Sequence, residues 1–144
     1  MSESVLITGA SSGIGAVTAA DLSRHGYRVF GTTRRATPPD GAPEGVEWIQ
    51  LDVCDEESVC KGVGQVTERA GGLDALVCNA GFGIFGSVED TPMEDAQRQL
   101  DVNFFGVLRT LRAVLPVMRT ARKGRIVLVG SLAGRAPIPF QSHY

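Results

Sequence analysis

The sequence has little cysteine and less histidine. Its three cysteines, Cys54, Cys60 and Cys78, are odd in number and form no C-x-x-C pair, which argues against a disulfide framework or a thiolate zinc site. Reduced, partly buried thiols in a cytoplasmic protein are the expectation. The two histidines, His25 and His143, stand too far apart in the chain for a metal cluster. His25 precedes Gly26, where a helix end would suit an imidazole. No apolar run approaches the roughly 20 residues that cross a bilayer. No basic flank followed by a long apolar stretch marks a targeting segment at the start. Positive charge is not in excess either: the formal net charge is -2, against the dense basic face that a nucleic-acid or anionic-membrane partner demands. Internal repeats and low-complexity tails are also missing.

What remains is an ordinary globular composition, 43% hydrophobic and 21% charged, in 144 residues. That length makes one domain with a genuine core, spanning 1–144, and leaves little room for a second.

Strand and helix signals alternate along it. Val5-Leu6-Ile7-Thr8 is a short apolar run ending in a Gly-Ser cluster, as a buried strand would. Ile14, Val17, Ala20 and Leu22 then fall near helical spacing, and Gly26 closes that helix. A β-rich run over 27–33 reads as a second strand, a Pro/Gly-dense loop follows, and a third strand covers 46–51. A helix over 55–70 starts acidic and stops at Gly71-Gly72, although Gly62 and Gly64 inside it each cost about 1 kcal/mol relative to alanine. A fourth strand covers 74–78.

Thr91-Pro92-Met93-Glu94 reads as a capping box with Pro92 in the first helical position. Beyond it Leu100, Phe104, Val107, Leu108, Leu111, Leu115 and Met118 predict one apolar stripe packed on the sheet, with Pro116 as a kink or boundary. Residues 125–130 form a fifth strand, apolar throughout, which predicts cover on both faces and neighbours on both edges. The alternation predicts an α/β fold with a doubly wound parallel sheet of five strands.

The chemistry begins in the first turn, Thr8-Gly9-Ala10-Ser11-Ser12-Gly13-Ile14-Gly15. A strand feeding a glycine-rich turn that opens a helix suits a pyrophosphate. Gly9 permits the tight turn, Gly13 admits backbone to phosphate, and Gly15 lets helix and strand close up. Amides at the helix start supply donors. After the second strand, NAD sites of this architecture place an acid about 20 residues past the glycines to accept from the ribose 2′-hydroxyl. Here the sequence is Thr32-Thr33-Arg34-Arg35. Thr33 can donate to a 2′-phosphate and Arg34 can pair with it, which favours NADP(H). The competing reading is a solvated basic loop.

The T-G-x-x-x-G-x-G spacing resembles the cofactor motif of the short-chain dehydrogenase/reductase family, whose fold is the Rossmann type. Further landmarks follow in that family's order: Asp52-Val53, Asn79-Ala80-Gly81, Asn103, Ser131 and Tyr144. The resemblance implies a cofactor cradle of Gly9, Ser11, Ser12, Gly13, Ile14 and Gly15. It implies that Asp52 meets the adenine amino group with help from the Val53 backbone, although Asp52 could equally cap the next helix. Asn79, Ala80 and Gly81 would hold the edge of the sheet beside the cofactor, and the Asn103 carbonyl would face a water in a proton relay.

Ser131 would hold the substrate oxygen and Tyr144 would pass it a proton while hydride moves between carbon and nicotinamide. A phenol with an ordinary pKa of about 10 is mostly protonated at neutral pH; the family lowers it with a lysine one helical turn further on. The sequence stops at Tyr144. The expectation is therefore that the lysine, its helix, the later strands and the main subunit contacts of a homo-oligomer lie outside it, and that the 144-residue chain turns over poorly and dissolves poorly.

Gly81-Phe82-Gly83-Ile84-Phe85-Gly86, together with the stretch from Pro137 to Tyr144, resembles the hydroxysteroid and retinol dehydrogenase branch. Its apolar residues either border a pocket for a hydrophobic ketone, aldehyde or alcohol or simply pack. Three functions stay open: an NADP(H)-dependent oxidoreductase, a non-catalytic NADP(H) sensor, and an inactive interaction fragment.

Overall fold

A computed structural model describes residues 2–141 and 143–144. The first strand, β1 (Ser4–Ile7), is buried along its whole length, because its alternating side chains feed two different cores. Val5 and Ile7 point to one face, where Ala19 and Leu22 of α1 (Gly13–Arg24) cover them together with Val29 of β2 (Arg28–Thr33). Leu6 points to the other, where Phe30, Ile49 of β3 (Val46–Gln50) and Leu76 of β4 (Ala75–Cys78) form the larger core. Val59, Val63 and Val66 of α2 (Glu56–Ala70) and Val114 and Met118 of α4 (Gly106–Ala121) close that core. Continuous apolar strands are what a parallel sheet covered on both faces requires.

β5 (Arg125–Leu128) completes a parallel sheet in the order β3-β2-β1-β4-β5. In register, Leu6 lies between Phe30 and Leu76. The chain winds outward from β1 to β3, crosses back, and winds outward again from β4 to β5. This is the doubly wound Rossmann fold, and its winding reverses between β1 and β4.

Helix ends follow local chemistry. Asp55 caps α2, accepting from the Glu57 and Ser58 amides at 2.9 and 3.1 Å, and Gly71 ends that helix at φ +74°. Gly62 is no mere cost to α2, since a Cβ there would stand 2.7 Å from Leu51 Cδ1. The helix sits against β3 because that position is bare.

Several expectations are corrected. The capping box does not form: Pro92 is the cap position rather than the first helical residue, and Thr91 turns its hydroxyl back to the Ser87 carbonyl at 2.7 Å. The long helix is continuous but not uniform: α3 (Met93–Leu100) passes through a five-residue π turn (Asp101–Phe105) straight into α4, with right-handed helical backbone at both joins and Pro116 inside α4 rather than at a boundary. The apolar stripe is divided. Val107, Leu111 and Met118 pack on the core with Gly106, Thr110 and Val114, while Leu100, Phe104, Leu108 and Leu115 remain exposed. The buried row is built partly from small residues: a Cβ on Gly106 would lie 2.8 Å from Val53, so the helix approaches along its bare side. Finally, β5 pairs only with β4 among the described residues, and Ile126, Val127 and Leu128 are exposed. Nothing described packs beyond this last strand in the order, so the expected double cover is not there.

Candidate functional site

The glycine turn is held from below by three side chains. The Thr32 hydroxyl accepts from the Gly9 amide at 3.1 Å. The Thr8 hydroxyl accepts from the amides of Asn79 and Ala80 at 3.0 and 3.1 Å. The Asn79 side-chain amide donates to the carbonyls of Thr8 and Gly9 at 3.0 and 3.1 Å. The ends of β1, β2 and β4 are thereby locked at the point where the winding reverses. Asn79-Ala80-Gly81 accordingly occupies the rim of the sheet where the central strands end.

Within this frame the glycines have distinct duties. Gly9 has φ +66°, and a Cβ there would lie 2.8 Å from the Ala80 Cα. A Cβ on Gly15 would collide with Asn79 Nδ2 and the Gly9 carbonyl, so that glycine seats the helix against the strand. Gly13 has φ +55°, and a Cβ there would meet nothing within 4 Å. Unlike α2, α1 has no side-chain cap and no acid in its first turn. Its leading amides and positive dipole end therefore suit an anion, and the cradle fits a phosphate-bearing cofactor.

A cleft of about 820 Å³ opens over this rim. Gly9, Ser11, Ser12, Gly13 and Ile14 form its floor, while Gly15 lies behind the turn and does not line it. Thr33 and Arg34 stand at one side. The Thr33 hydroxyl accepts from the Arg35 amide and the Arg34 carbonyl accepts from Gln50, both at 3.2 Å, which fixes the backbone and leaves the Arg34 side chain exposed. Among the described residues, Arg34 enters no salt bridge.

Asp52 and Val53 line the same cleft. Asp52 Oδ1 accepts from the Cys54 amide at 2.9 Å, and the helix cap is Asp55, so Asp52 is not the cap. The Val53 carbonyl accepts from Arg109 at 3.3 Å, whose guanidinium also pairs with Asp101 at 2.8 Å. Burial pushes the Cys78 thiol at the end of β4 up to about 11, and burial followed by the Asp101 carboxylate does the same to Cys54. Neither is a poised nucleophile. Cys60, expected to be partly buried, is exposed.

The far wall carries the remaining residues. Asn79, Ala80, Gly81, Asn103, Ser131 and Tyr144 all line the cleft. Asn103 lies in the π turn, and both ends of its amide are engaged by Phe82: Oδ1 accepts from the amide at 3.0 Å and Nδ2 donates to the carbonyl at 2.8 Å. The Ser131 hydroxyl oxygen accepts from Ala133 at 3.2 Å and keeps its own proton for another partner.

Sequence reasoning gave no role to Thr8, Thr32 or Gln99. A threonine closing each of two buried strands was a readable signal for the first pair. For Gln99 there was none, since it is one polar residue in a polar helix until the fold brings it to the cleft wall.

The chain matches the family model described as short chain dehydrogenase over residues 3–144. It is 42% identical over 140 residues to the 3-ketodihydrosphingosine reductase of Bacteroides thetaiotaomicron, covering 97% of this chain and 51% of that protein. It is 40% identical over 153 residues to the estradiol 17-beta-dehydrogenase 1 of Rattus norvegicus, covering 97% and 44%. Retinol dehydrogenase 8 of Bos taurus is 38% identical over 151 residues, covering 97% and 48%. The chain thus spans about half the length of these relatives. Among solved structures, ElxO with NADP bound superposes with a TM-score of 0.91 at 30% identity, covering 100% of this chain and 61% of that one. NAD+-bound xylitol dehydrogenase superposes with a TM-score of 0.92 at 32% identity, covering 99% and 58%.

Proposed function

This chain belongs to the short chain dehydrogenase family, and from that premise we propose that its cleft takes NADP(H) and that the protein interconverts a ketone or aldehyde and an alcohol. One observation carries the reading. A single cleft runs from an uncapped helix start, past an exposed arginine where an NAD site would place an acid, to a serine hydroxyl and a tyrosine phenol.

The solved neighbours include both an NADP and an NAD complex, so the cofactor is chosen on local chemistry. A carboxylate after β2 would repel a 2′-phosphate. Thr33 and Arg34 offer it a hydroxyl donor and a planar guanidinium instead. The amides of the turn and of the α1 start hold the pyrophosphate, and Asp52 accepts from the adenine amino group. When bound, the nicotinamide supplies or accepts the hydride. Ser131 donates to the substrate oxygen and so orients it, and Tyr144 gives that oxygen a proton or removes one from it. Phe82 and Gly83 line the cleft with Tyr144, which supports an apolar substrate.

Titration of nicotinamide fluorescence tests the reading. A charge-assisted bond of about 1.5–3 kcal/mol makes Arg34→Ala weaken NADPH binding by roughly tenfold to a hundredfold and NADH binding little. Equal losses for both would remove the preference for NADP. No binding by the unaltered protein would remove the cofactor site.

A further inference from the structure

Among the described residues, the segment that carries Tyr144 is anchored in part by a buried amide from another part of the chain. Gln99, in the last turn of α3, is 1% exposed. Both ends of its side chain are used. Oε1 accepts from the Ile84 amide at 2.7 Å, and Nε2 donates to the His143 carbonyl at 2.6 Å. Ile84 lies in the loop after β4, whereas His143 immediately precedes Tyr144.

The two partner segments also meet each other. The Gly86 amide donates to the Phe140 carbonyl at 2.9 Å, and Gly86 and Gln141 form an isolated parallel bridge. A Cβ on Gly83 would stand 3.7 Å from two ring carbons of Tyr144. Two neighbours of Gln99 fix only the first of these segments: Arg98 lies over the Phe82 ring at 5.7 Å, and Asn103 holds both backbone groups of Phe82. Among the described residues, Gln99 alone of the three reaches across to the Tyr144 segment.

We propose that Gln99 is a positioning residue for Tyr144, fixing the phenol relative to the loop after β4 by bonding to a donor on one segment and an acceptor on the other. This rests on the oxidoreductase reading, in which Tyr144 moves the proton. The requirement is chemical rather than steric. A primary amide supplies one acceptor and one donor at this spacing. Glutamate keeps the acceptor for Ile84 but turns a second acceptor on the His143 carbonyl. Methionine keeps the volume and loses both bonds.

The 144 residues hold two tyrosines, so this 144-residue chain labelled with 3-fluorotyrosine gives two fluorine resonances, assigned with Tyr27→Phe. In Gln99→Glu and Gln99→Met the Tyr144 resonance is expected to shift or broaden while that of Tyr27 stays in place. An unmoved Tyr144 resonance in the glutamate variant overturns the assignment. So does collapse of both resonances to unfolded positions in both variants, because Gln99 would then serve the fold and not the phenol. Absence of NADPH binding by the unaltered protein is a separate result: it overturns the oxidoreductase reading whatever the fluorine spectrum shows.

Discussion

The side-chain amide of Asn79 donates to the Gly9 carbonyl at 3.1 Å, tying the end of β4 to the first turn of the cleft. The same amide donates to Thr8 at 3.0 Å, so one side chain sets the distance between the glycine cradle and the far wall.

Asn79→Ala leaves both carbonyls without this donor and should cost about 1–3 kcal/mol of stability. Asn79→Asp should cost more near neutral pH, because it turns a carboxylate on two carbonyl oxygens. Urea denaturation of the two variants checks this. An aspartate variant as stable as the unaltered protein would contradict it.

Gly9 and Gly13 separate fold from ligand. Both have positive φ, but a methyl on Gly9 meets the Ala80 backbone and one on Gly13 meets open space. Gly9→Ala is expected to lose about 2–4 kcal/mol, from left-handed strain plus the clash. Gly13→Ala should lose only the strain, about 1–2 kcal/mol, yet place its methyl where the cofactor would approach. Denaturation and NADPH titration together should show Gly9→Ala worse in stability and Gly13→Ala worse in affinity relative to stability. The reverse order would count against the cradle.

Acid should loosen the opposite end of the sheet. The Lys123 ammonium at 2.8 Å, followed by the Ser4 amide at 2.9 Å, lowers the Asp74 carboxyl from its ordinary 3.8 to about 2. A pKa lowered by folding contributes stability that is complete above the unfolded value and disappears as pH falls through the folded one. The denaturation midpoint should therefore drop between about pH 4 and pH 2, and Asp74→Asn should flatten that drop. An unchanged slope in the variant would show that other carboxyls, such as Glu3 beside Arg125, dominate.

The alternation of elements and the glycine turn were legible in the sequence because both are local: apolar runs of strand length, helix stops at Gly26 and Gly71, and three glycines between a strand and a helix. Their gathering on one rim follows from topology, since parallel strands deliver the residues after β1, β2, β4 and β5 to the same side. What misled was distance across the core. Seven large apolar residues from Leu100 to Met118 suggested one stripe, but the close approach is made by Gly106 and Thr110, which carry no hydrophobic signal. The π turn likewise left no trace in composition, though it carries Asn103. Gln99 was invisible for the same reason, because its meaning lies in partners 15 and 44 residues away.

Amide hydrogen exchange of the unaltered chain, with and without NADPH, tests the central claim most directly. Protection gathered at residues 9–15, 33–34, 52–53 and 79–81 is the expected result, since those segments form one cleft only in this fold. Unchanged exchange there, or protection confined to segments outside the cleft, would contradict it.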